Sequence, residues 1–582
     1  TRRMRALTLT ILMAFTLLVG CEQAAKPMPA AAPDTLRRLT EGEVTGFINR
    51  AGGHSWLGIP FAAPPTGALR WRAPQPVSAW QDNRLALRAG SPCIQYGSAL
   101  GGVGKPGSRQ GSEDCLYLNV HAPRLNGEEL GQSRLPVMVW IHGGGNTTGH
   151  GAFFDGSELA TQREVLVVMI NYRLGPFGWF RFPESADVDD LDRSGNFANL
   201  DILAALRWVQ RNAAALGGDP ANVTVFGESA GATNALALMV MPEAEGLFQR
   251  LIVQSLGFGF AELPAADSPH HPDRLLASMG VDTDQPGWLE AARALDPWTV
   301  YAAYGDINEE YNRVPSVFPD GVVVRQGDLR ELLATEGLHH EVPVLIGTNR
   351  DENKIFMAFD ERHSRKMFGL PMGLRDPEGY DREARYRSLL WKADGVDSIA
   401  DALSSHGHAV FAYRWDWDEQ GTAFGVMDVS RILGAAHGLE IPFVMGNFDV
   451  GPRSGLLFHE GNEAGRLALS RQMMQYWTQF ARDGAPGGGQ EPSLPLWPAW
   501  PGQGDARLMV LDTPSGGGLR ATTDRVTRDA IVSELDAEPL EPVARCELFS
   551  AVFRRRNDPW ADAAFRSLAN GACSGSRLGH TD

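Results

Sequence analysis

Three segments of this chain hold side chains that could work together as an activated nucleophile. Gly227-Glu228-Ser229-Ala230-Gly231 sets a serine between two glycines. A serine hydroxyl is a weak nucleophile until a base takes its proton, and a histidine near neutrality is the usual base. The histidine needs a carboxylate to fix its tautomer and stabilise the imidazolium. When the serine sits on a sharp strand-to-helix turn, the chain order is serine, acid, histidine. Downstream, Ile346-Gly347-Thr348-Asn349-Arg350-Asp351-Glu352 places two carboxylates after a strand-like run, and Gly434-Ala435-Ala436-His437-Gly438 sets a histidine in a small-residue turn. Upstream, Gly143-Gly144-Gly145 offers backbone N–H groups clear of side chains, which with the N–H of Ala230 would suit an oxyanion. The chemistry this order supports is attack on a carbonyl carbon through a covalent intermediate. Between Asp351 and Glu352 these residues alone do not choose.

Such residues need elements to position them. Leu135 to Ile141, Val165 to Ile170, Val223 to Phe226, Leu251 to Val253 and Val342 to Ile346 are short, apolar and mostly β-branched. Near-continuous apolar runs suit strands covered on both faces, which predicts a mostly parallel central sheet flanked by helices, an α/β class. Ala232 to Met241 and Asp201 to Leu216 carry helical composition and spacing, the second stopping at Gly217-Gly218-Asp219-Pro220. Ligands of such sheets bind beyond the carboxyl ends of strands. The glycine triplet, Ser229 and Glu352 each follow a strand-like run.

The formal net charge of −17 over 582 residues argues against nucleic acid as a partner, since phosphate binding needs a basic surface. The basic run Arg554-Arg555-Arg556 reads as an exposed helix face. With no internal repeat or low-complexity linker, one large catalytic domain over 41–550 with loop insertions is expected, followed by a C-terminal extension over 551–582. Residues 1–20 read as an export signal: Arg2, Arg3 and Arg5 precede an apolar run, Ala6 to Val19, of the length of a signal h-region. Met4 or an upstream residue is the expected start. Leu18-Val19-Gly20-Cys21 resembles the lipobox of bacterial lipoproteins, which implies cleavage before Cys21 and a lipid on it. Residues 21–40 then form the anchor cysteine and a flexible tether, Ala/Pro-rich from Glu22 to Pro33. The location implied is the bacterial cell envelope, with a soluble periplasmic or secreted protein as the alternative. Four further cysteines are an even number in an exported chain, which favours disulfides. Of the three pairings, the local one is expected: Cys93 with Cys115 and Cys546 with Cys573.

Ordered segments along the chain resemble the type-B carboxylesterases, the group that includes the cholinesterases, within the α/β-hydrolase fold. They are Leu57-Gly58-Ile59-Pro60-Phe61-Ala62-Ala63-Pro64-Pro65 with Leu69-Arg70-Trp71, Ser112-Glu113-Asp114-Cys115-Leu116-Tyr117-Leu118-Asn119-Val120, Asn171-Tyr172-Arg173-Leu174-Gly175, the serine segment, His437-Gly438-Leu439-Glu440-Ile441-Pro442-Phe443, and Met473-Met474-Gln475-Tyr476-Trp477. The resemblance implies Ser229 as nucleophile, Glu352 as the acid in place of Asp351, and His437 as base. It implies an oxyanion hole from Gly144, Gly145 and Ala230. Ser255 would support the triad acid, and Glu228 would lie just behind the triad. Cys93–Cys115 matches the family's first disulfide, whereas the family partner of Cys546 lies upstream, where this chain has no cysteine. A small-molecule ester substrate and no cofactor or metal are implied. The chain carries no signal for oligomeric state.

Departures inform as well. The loop between Cys93 and Cys115 has no tryptophan, the residue with which cholinesterases hold a cationic substrate, so choline esters are not the expected substrate. Asn146-Thr147-Thr148 is more polar than the aromatic continuation common in the family. Phe258 and Phe260 are candidates for the acyl pocket or for core. His142 is expected to brace the glycine loop, and His270-His271 and His339-His340 to lie on the surface rather than bind metal. Two other functions use the same residues: acyl transfer to an alcohol, which shares the whole triad, and an esterase-like binding protein, against which the intact triad positions argue.

Overall fold

The computed structural model describes residues 27–98, 103–257, 260, 268, 271–304, 316–367, 369–451, 453–488, 494–501, 506–553 and 558–575. Cys21, the export signal, Phe258, His270 and Arg554–Arg556 lie outside the described residues.

The centre is an 11-stranded sheet. Its strands in chain order are β1 (Phe47–Ile48), β2 (His54–Pro60), β3 (Tyr117–Ala122), β4 (Leu135–Ile141), β5 (Leu166–Ile170), β6 (Gly218–Glu228), β7 (Arg250–Gln254), β8 (Val344–Asn349), β9 (Val410–Trp415), β10 (Leu508–Leu511) and β11 (Arg520–Thr522). Their spatial order is β11-β10-β9-β8-β7-β6-β4-β5-β3-β2-β1. From β5 through β10 every pairing is parallel, whereas β1, β2 and β3 at one edge and β11 at the other pair antiparallel. This is the α/β-hydrolase fold. The strands foreseen at the centre are all present; the antiparallel edges were not foreseen.

The apolar runs build a parallel sheet because both faces are covered. Val137, Val139 and Ile141 of β4 enter one core with Val223 and Val225 of β6, Leu251 and Val253 of β7, and Val344 and Ile346 of β8. The alternating Met138, Trp140, Phe226, Ile252 and Leu345 enter the core on the other side. Each strand therefore has no polar face, and the helices Phe197–Asn212 and Glu463–Asp483 supply the covering layers. The helix expected over 201–216 begins earlier, at Phe197, and tightens into a 3-10 turn over Ala213–Leu216. It stops at Gly217, whose φ of 91° is left-handed.

Two boundaries differ from the expectation. Residues 32–40, expected within the flexible tether, are part of the fold. The Ala32 N–H donates to Gly46 O at 3.0 Å, and buried Thr35 takes the indole N–H of Trp56 on its carbonyl at 2.8 Å. Arg37–Arg38 then pairs with Glu43–Val44. At the other end, the helices Arg528–Asp536, Pro542–Val552 and Pro559–Gly571 form one cluster with Tyr386 and Leu390, so packing runs unbroken across residue 550. Both local disulfides are present, Cys93–Cys115 and Cys546–Cys573. Among the described residues no helix is long and apolar enough to cross a membrane.

Candidate active site

β6 ends at Glu228 and the helix Ala230–Ala237 starts two residues later, leaving Ser229 alone in the turn with φ 58° and ψ −125°. That backbone is strained for a residue with a side chain and persists only where the surroundings enforce it. The Ser229 N–H donates to Gln254 O at 3.0 Å, and Thr233 N–H donates to Ser229 O at 3.1 Å. Space enforces it too: a Cβ on Gly231 would lie 2.1 Å from Ile141 O, and one on Gly227 2.5 Å from Gly231 O. The helix can enter this close to β4 and β6 only without those side chains.

Two strands away, β8 runs out into the acid loop. Glu352 is fully buried there, with Oε1 accepting from the Thr348 hydroxyl and from Asn349 N–H, both at 2.7 Å. Its Oε2 accepts from His437 Nδ1–H at 2.6 Å. Asp351 turns the opposite way, to Arg350 at 2.8 Å and Lys354 at 3.5 Å, and accepts from Ala435 N–H at 3.1 Å. Burial works against its charge, but those cations outweigh it and hold its pKa below the ordinary carboxylate value. Of the adjacent carboxylates, only Glu352 meets the histidine. The part expected of Ser255 is taken by Thr348: the Ser255 hydroxyl is buried without a hydrogen bond to any described residue, while its backbone N–H donates to Gly347 O at 2.8 Å. Ser255 sits at φ 52°, a conformation that fixes its direction independently of the acid.

The other edge of the His437 ring faces the serine turn. Nε2 lies 3.1 Å from Glu228 Oε1, which has no hydrogen-bond partner among the described residues, so that contact is electrostatic. No hydrogen bond joins the ring to the Ser229 hydroxyl in this structure; catalytic contacts of this kind are often loose before substrate binds. Burial opposes charging the imidazole, but Glu228 and then Glu352 outweigh it and raise its pKa. Glu228 itself is raised by burial, against the pull of His437. Glu228 and His437 therefore titrate as a coupled pair, the carboxylate raising the ring's proton affinity and the imidazolium lowering the carboxyl's. Sequence reasoning missed Glu440, which lies three residues after His437. It is fully buried and accepts from Asn349 Nδ2 at 2.6 Å, and burial raises its pKa. Phe356 and Trp391 were missed as well; their rings stand 5.4 and 4.9 Å from the imidazole and wall it on one side.

The glycine loop lies against the turn. A Cβ on Gly143 would fall 2.7 Å from Glu228 O and 3.0 Å from Ser229 Cβ. Gly144 and Gly145 have φ of 97° and 61°, and their N–H groups and that of Ala230 have no acceptor among the described residues. His142 braces this loop as expected. Its Nδ1–H donates to Gly143 O at 2.9 Å, its ring stacks on Tyr172 at 4.4 Å, and burial pushes its pKa down to about 3. The polar continuation is structural: Asn146 accepts from Asn234 Nδ2 at 2.9 Å and from Gly175 N–H, through its backbone oxygen, at 2.7 Å. Phe260 packs against the main core. His339 is buried, not on the surface as expected, and His340 Nε2 lies 2.8 Å from Met241 O. Among the described residues no three His, Cys, Asp or Glu side chains converge as metal ligands.

Comparison with known proteins places this geometry among relatives. A family model described as the Carboxylesterase family matches residues 33–369 and 384–525. The para-nitrobenzyl esterase of Bacillus subtilis is 35% identical over 477 residues, covering 79% of this chain and 91% of the relative. The fumonisin B1 esterase of Sphingopyxis macrogoltabida is 31% identical over 536 residues, covering 87% of this chain and 92% of the relative. A solved PNB esterase superposes with a TM-score of 0.66 at 31% identity, covering 84% of this chain and 97% of the other. The Geobacillus stearothermophilus carboxylesterase EST55 gives a TM-score of 0.66 at 30% identity, with the same coverage.

Proposed function

The chain belongs to the carboxylesterase family and is an ester hydrolase, and from that premise we propose that it works through Ser229, His437 and Glu352 by way of an acyl-enzyme. Ser229 Oγ attacks the ester carbonyl while His437 Nε2 takes its proton. The N–H groups of Gly144, Gly145 and Ala230 receive the oxyanion. Protonated His437 returns the proton to the departing alkoxide, and an acyl group remains on Ser229. Water then attacks that acyl group with His437 again taking the proton, the bond to Ser229 Oγ breaks, His437 returns the proton to that oxygen, and the carboxylic acid leaves. Glu352 orients the ring through Nδ1 and stabilises its charged form.

The observation that carries this reading is the 2.6 Å contact of His437 with buried Glu352, beside a serine held at φ 58°. Hydrolysis of a p-nitrophenyl ester series from acetate to long acyl chains tests it. Ser229→Ala is expected to lower kcat by about 10⁶-fold, and Glu352→Gln by about 10⁴-fold, with both variants folded. Retention of wild-type turnover by Ser229→Ala would remove the serine mechanism. The aromatic wall of Phe356 and Trp391 supports uncharged, apolar esters as the preferred class.

The two disulfides suit an oxidising compartment, which supports an exported protein. Attachment to the bacterial envelope through lipid on Cys21 belongs to the same reading; Cys21→Ser should release the protein from the membrane fraction, and equal membrane association would contradict it.

A further inference from the structure

Away from the triad, two imidazoles meet nitrogen to nitrogen. His339 follows the short helix Leu329–Leu333, and His408 precedes β9. Their Nε2 atoms are 2.8 Å apart, with ring centroids 4.8 Å apart and planes inclined by 34°. The other nitrogen of each ring faces only carbonyl oxygens. His339 Nδ1 lies 3.2 Å from Leu332 O and 3.1 Å from Thr335 O, and His408 Nδ1 lies 3.2 Å from Val342 O. A carbonyl accepts and never donates, so each Nδ1 carries the hydrogen. In neutral rings both Nε2 atoms are then acceptors, two lone pairs brought together with no hydrogen between them. A cation shared by the two nitrogens resolves the conflict.

We propose that His339 and His408 form a two-histidine site for a divalent transition-metal ion, taking Cu²⁺ or Ni²⁺ in preference to Zn²⁺. Two features beyond the close approach support a metal. Metal-ligating histidines almost always give their remaining N–H to a carbonyl or carboxylate, which fixes the tautomer and the ring; both rings here do so. The spacing also selects a geometry. Two imidazole nitrogens, each about 2.05 Å from one ion, lie about 2.9 Å apart at a right angle and about 3.3 Å apart at the tetrahedral angle. The observed 2.8 Å matches the right angle, which tetragonal Cu²⁺ and Ni²⁺ adopt and tetrahedral Zn²⁺ does not. With no third His, Cys, Asp or Glu converging among the described residues, water completes the coordination. The pair lies on segments leading into the adjacent strands β8 and β9, so an ion there ties the end of helix Leu329–Leu333 to the entry of β9 and stabilises the folded chain by mass action.

The test is calorimetric titration of the full, chelator-treated protein with Cu²⁺, Ni²⁺ and Zn²⁺, alongside melting curves. One saturable site per chain is expected, tightest for Cu²⁺, with a rise in melting temperature that Mg²⁺ does not produce. His339→Gln and His408→Gln should each weaken binding by at least about tenfold and remove the rise, while His340→Gln binds as wild type does. Ester hydrolysis by all three variants should stay at the wild-type rate, which reports that they fold; if one fails to, the other is read alone. Absence of a saturable site in the wild type would overturn the proposal, leaving the pair to share a proton. Undiminished binding in the His339→Gln/His408→Gln double variant would also overturn it by placing the ion elsewhere.

Discussion

The Thr348 hydroxyl, near the end of β8, donates to Glu352 at 2.7 Å from four residues earlier in the chain, and among the described residues no other hydroxyl does so. A hydrogen bond to a charged group contributes about 1.5–3 kcal/mol, so its loss corresponds to roughly 10–150-fold in a rate that depends on the carboxylate's position. Thr348→Val should therefore lower kcat/KM for p-nitrophenyl acetate by at least about tenfold. Ser255→Ala, which removes a hydroxyl with no hydrogen bond, should leave it within about twofold. A larger loss in Ser255→Ala would reverse the assignment.

Glu228 and His437 set the pH dependence together. A base must be neutral to accept a proton, so kcat/KM rises with pH as the pair loses its acid form. Glu228 raises the ring's proton affinity, after burial the largest influence on it. Replacing the carboxyl by an amide removes that pull, and the ring's pKa falls. Glu228→Gln is therefore expected to move the ascending limb of the pH profile downward by about one unit and to make it a single titration. A limb that stayed in place or moved upward would show that Glu228 carries no charge in the working range.

Gly231 and Gly143 divide stability from catalysis. On Gly231 a Cβ meets two backbone oxygens, Ile141 O at 2.1 Å and His142 O at 2.6 Å, in strand β4 and its exit. Neither atom can yield without moving the sheet, so Gly231→Ala should cost more than about 3 kcal/mol and yield little folded protein. On Gly143 the Cβ meets Glu228 O at 2.7 Å and Ser229 Cβ at 3.0 Å, on a half-buried loop rather than inside the sheet. Gly143→Ala should fold and lose about 10²–10³ in kcat, the cost of displacing an oxyanion donor. Circular dichroism and kcat measured together separate the two.

The central strands were legible because burial on both faces demands apolar residues at every position, and β4 shows this as an unbroken run from Leu135 to Ile141. The serine turn was legible because backbone contacts require its glycines, Gly227 against Gly231 O and Gly231 against Ile141 O. The edges were not: Arg520–Thr522 is a strand only because β10 lies beside it, and its three residues carry no period. Glu352 and Asp351 stand side by side in the chain, and what separates them is the cations that claim Asp351. Arg350 adjoins it, but Lys354 reaches it only once the loop has curled. Thr348 stood within the quoted acid segment, four residues before Glu352, yet its contact also depends on that curl. The resemblance pointed to Ser255 instead, whose hydroxyl makes no hydrogen bond to the acid. His408 could not be paired with His339 from sequence, since 69 residues separate them and neither lies in a periodic element.

The Cys546–Cys573 bond ties the C-terminal helices to the aromatic wall beside His437. It closes 27 residues, a loop whose constraint stabilises by about 3–4 kcal/mol in the chain-entropy model. The helices it joins pack on Tyr386, Leu389 and Leu390 of Pro377–Lys392, the helix that carries Trp391 to the His437 ring. Loosening the cluster should therefore act on that wall while leaving Ser229, Glu352 and the glycine loop in place. Cys546→Ser/Cys573→Ser is expected to melt at lower temperature and to show faster amide exchange first in 559–573. Its KM should rise more than its kcat falls, because on the proposed function the wall beside His437 meets the ester while the reacting groups stay anchored in the sheet. A fall confined to kcat would mean that the wall positions His437 rather than the ester.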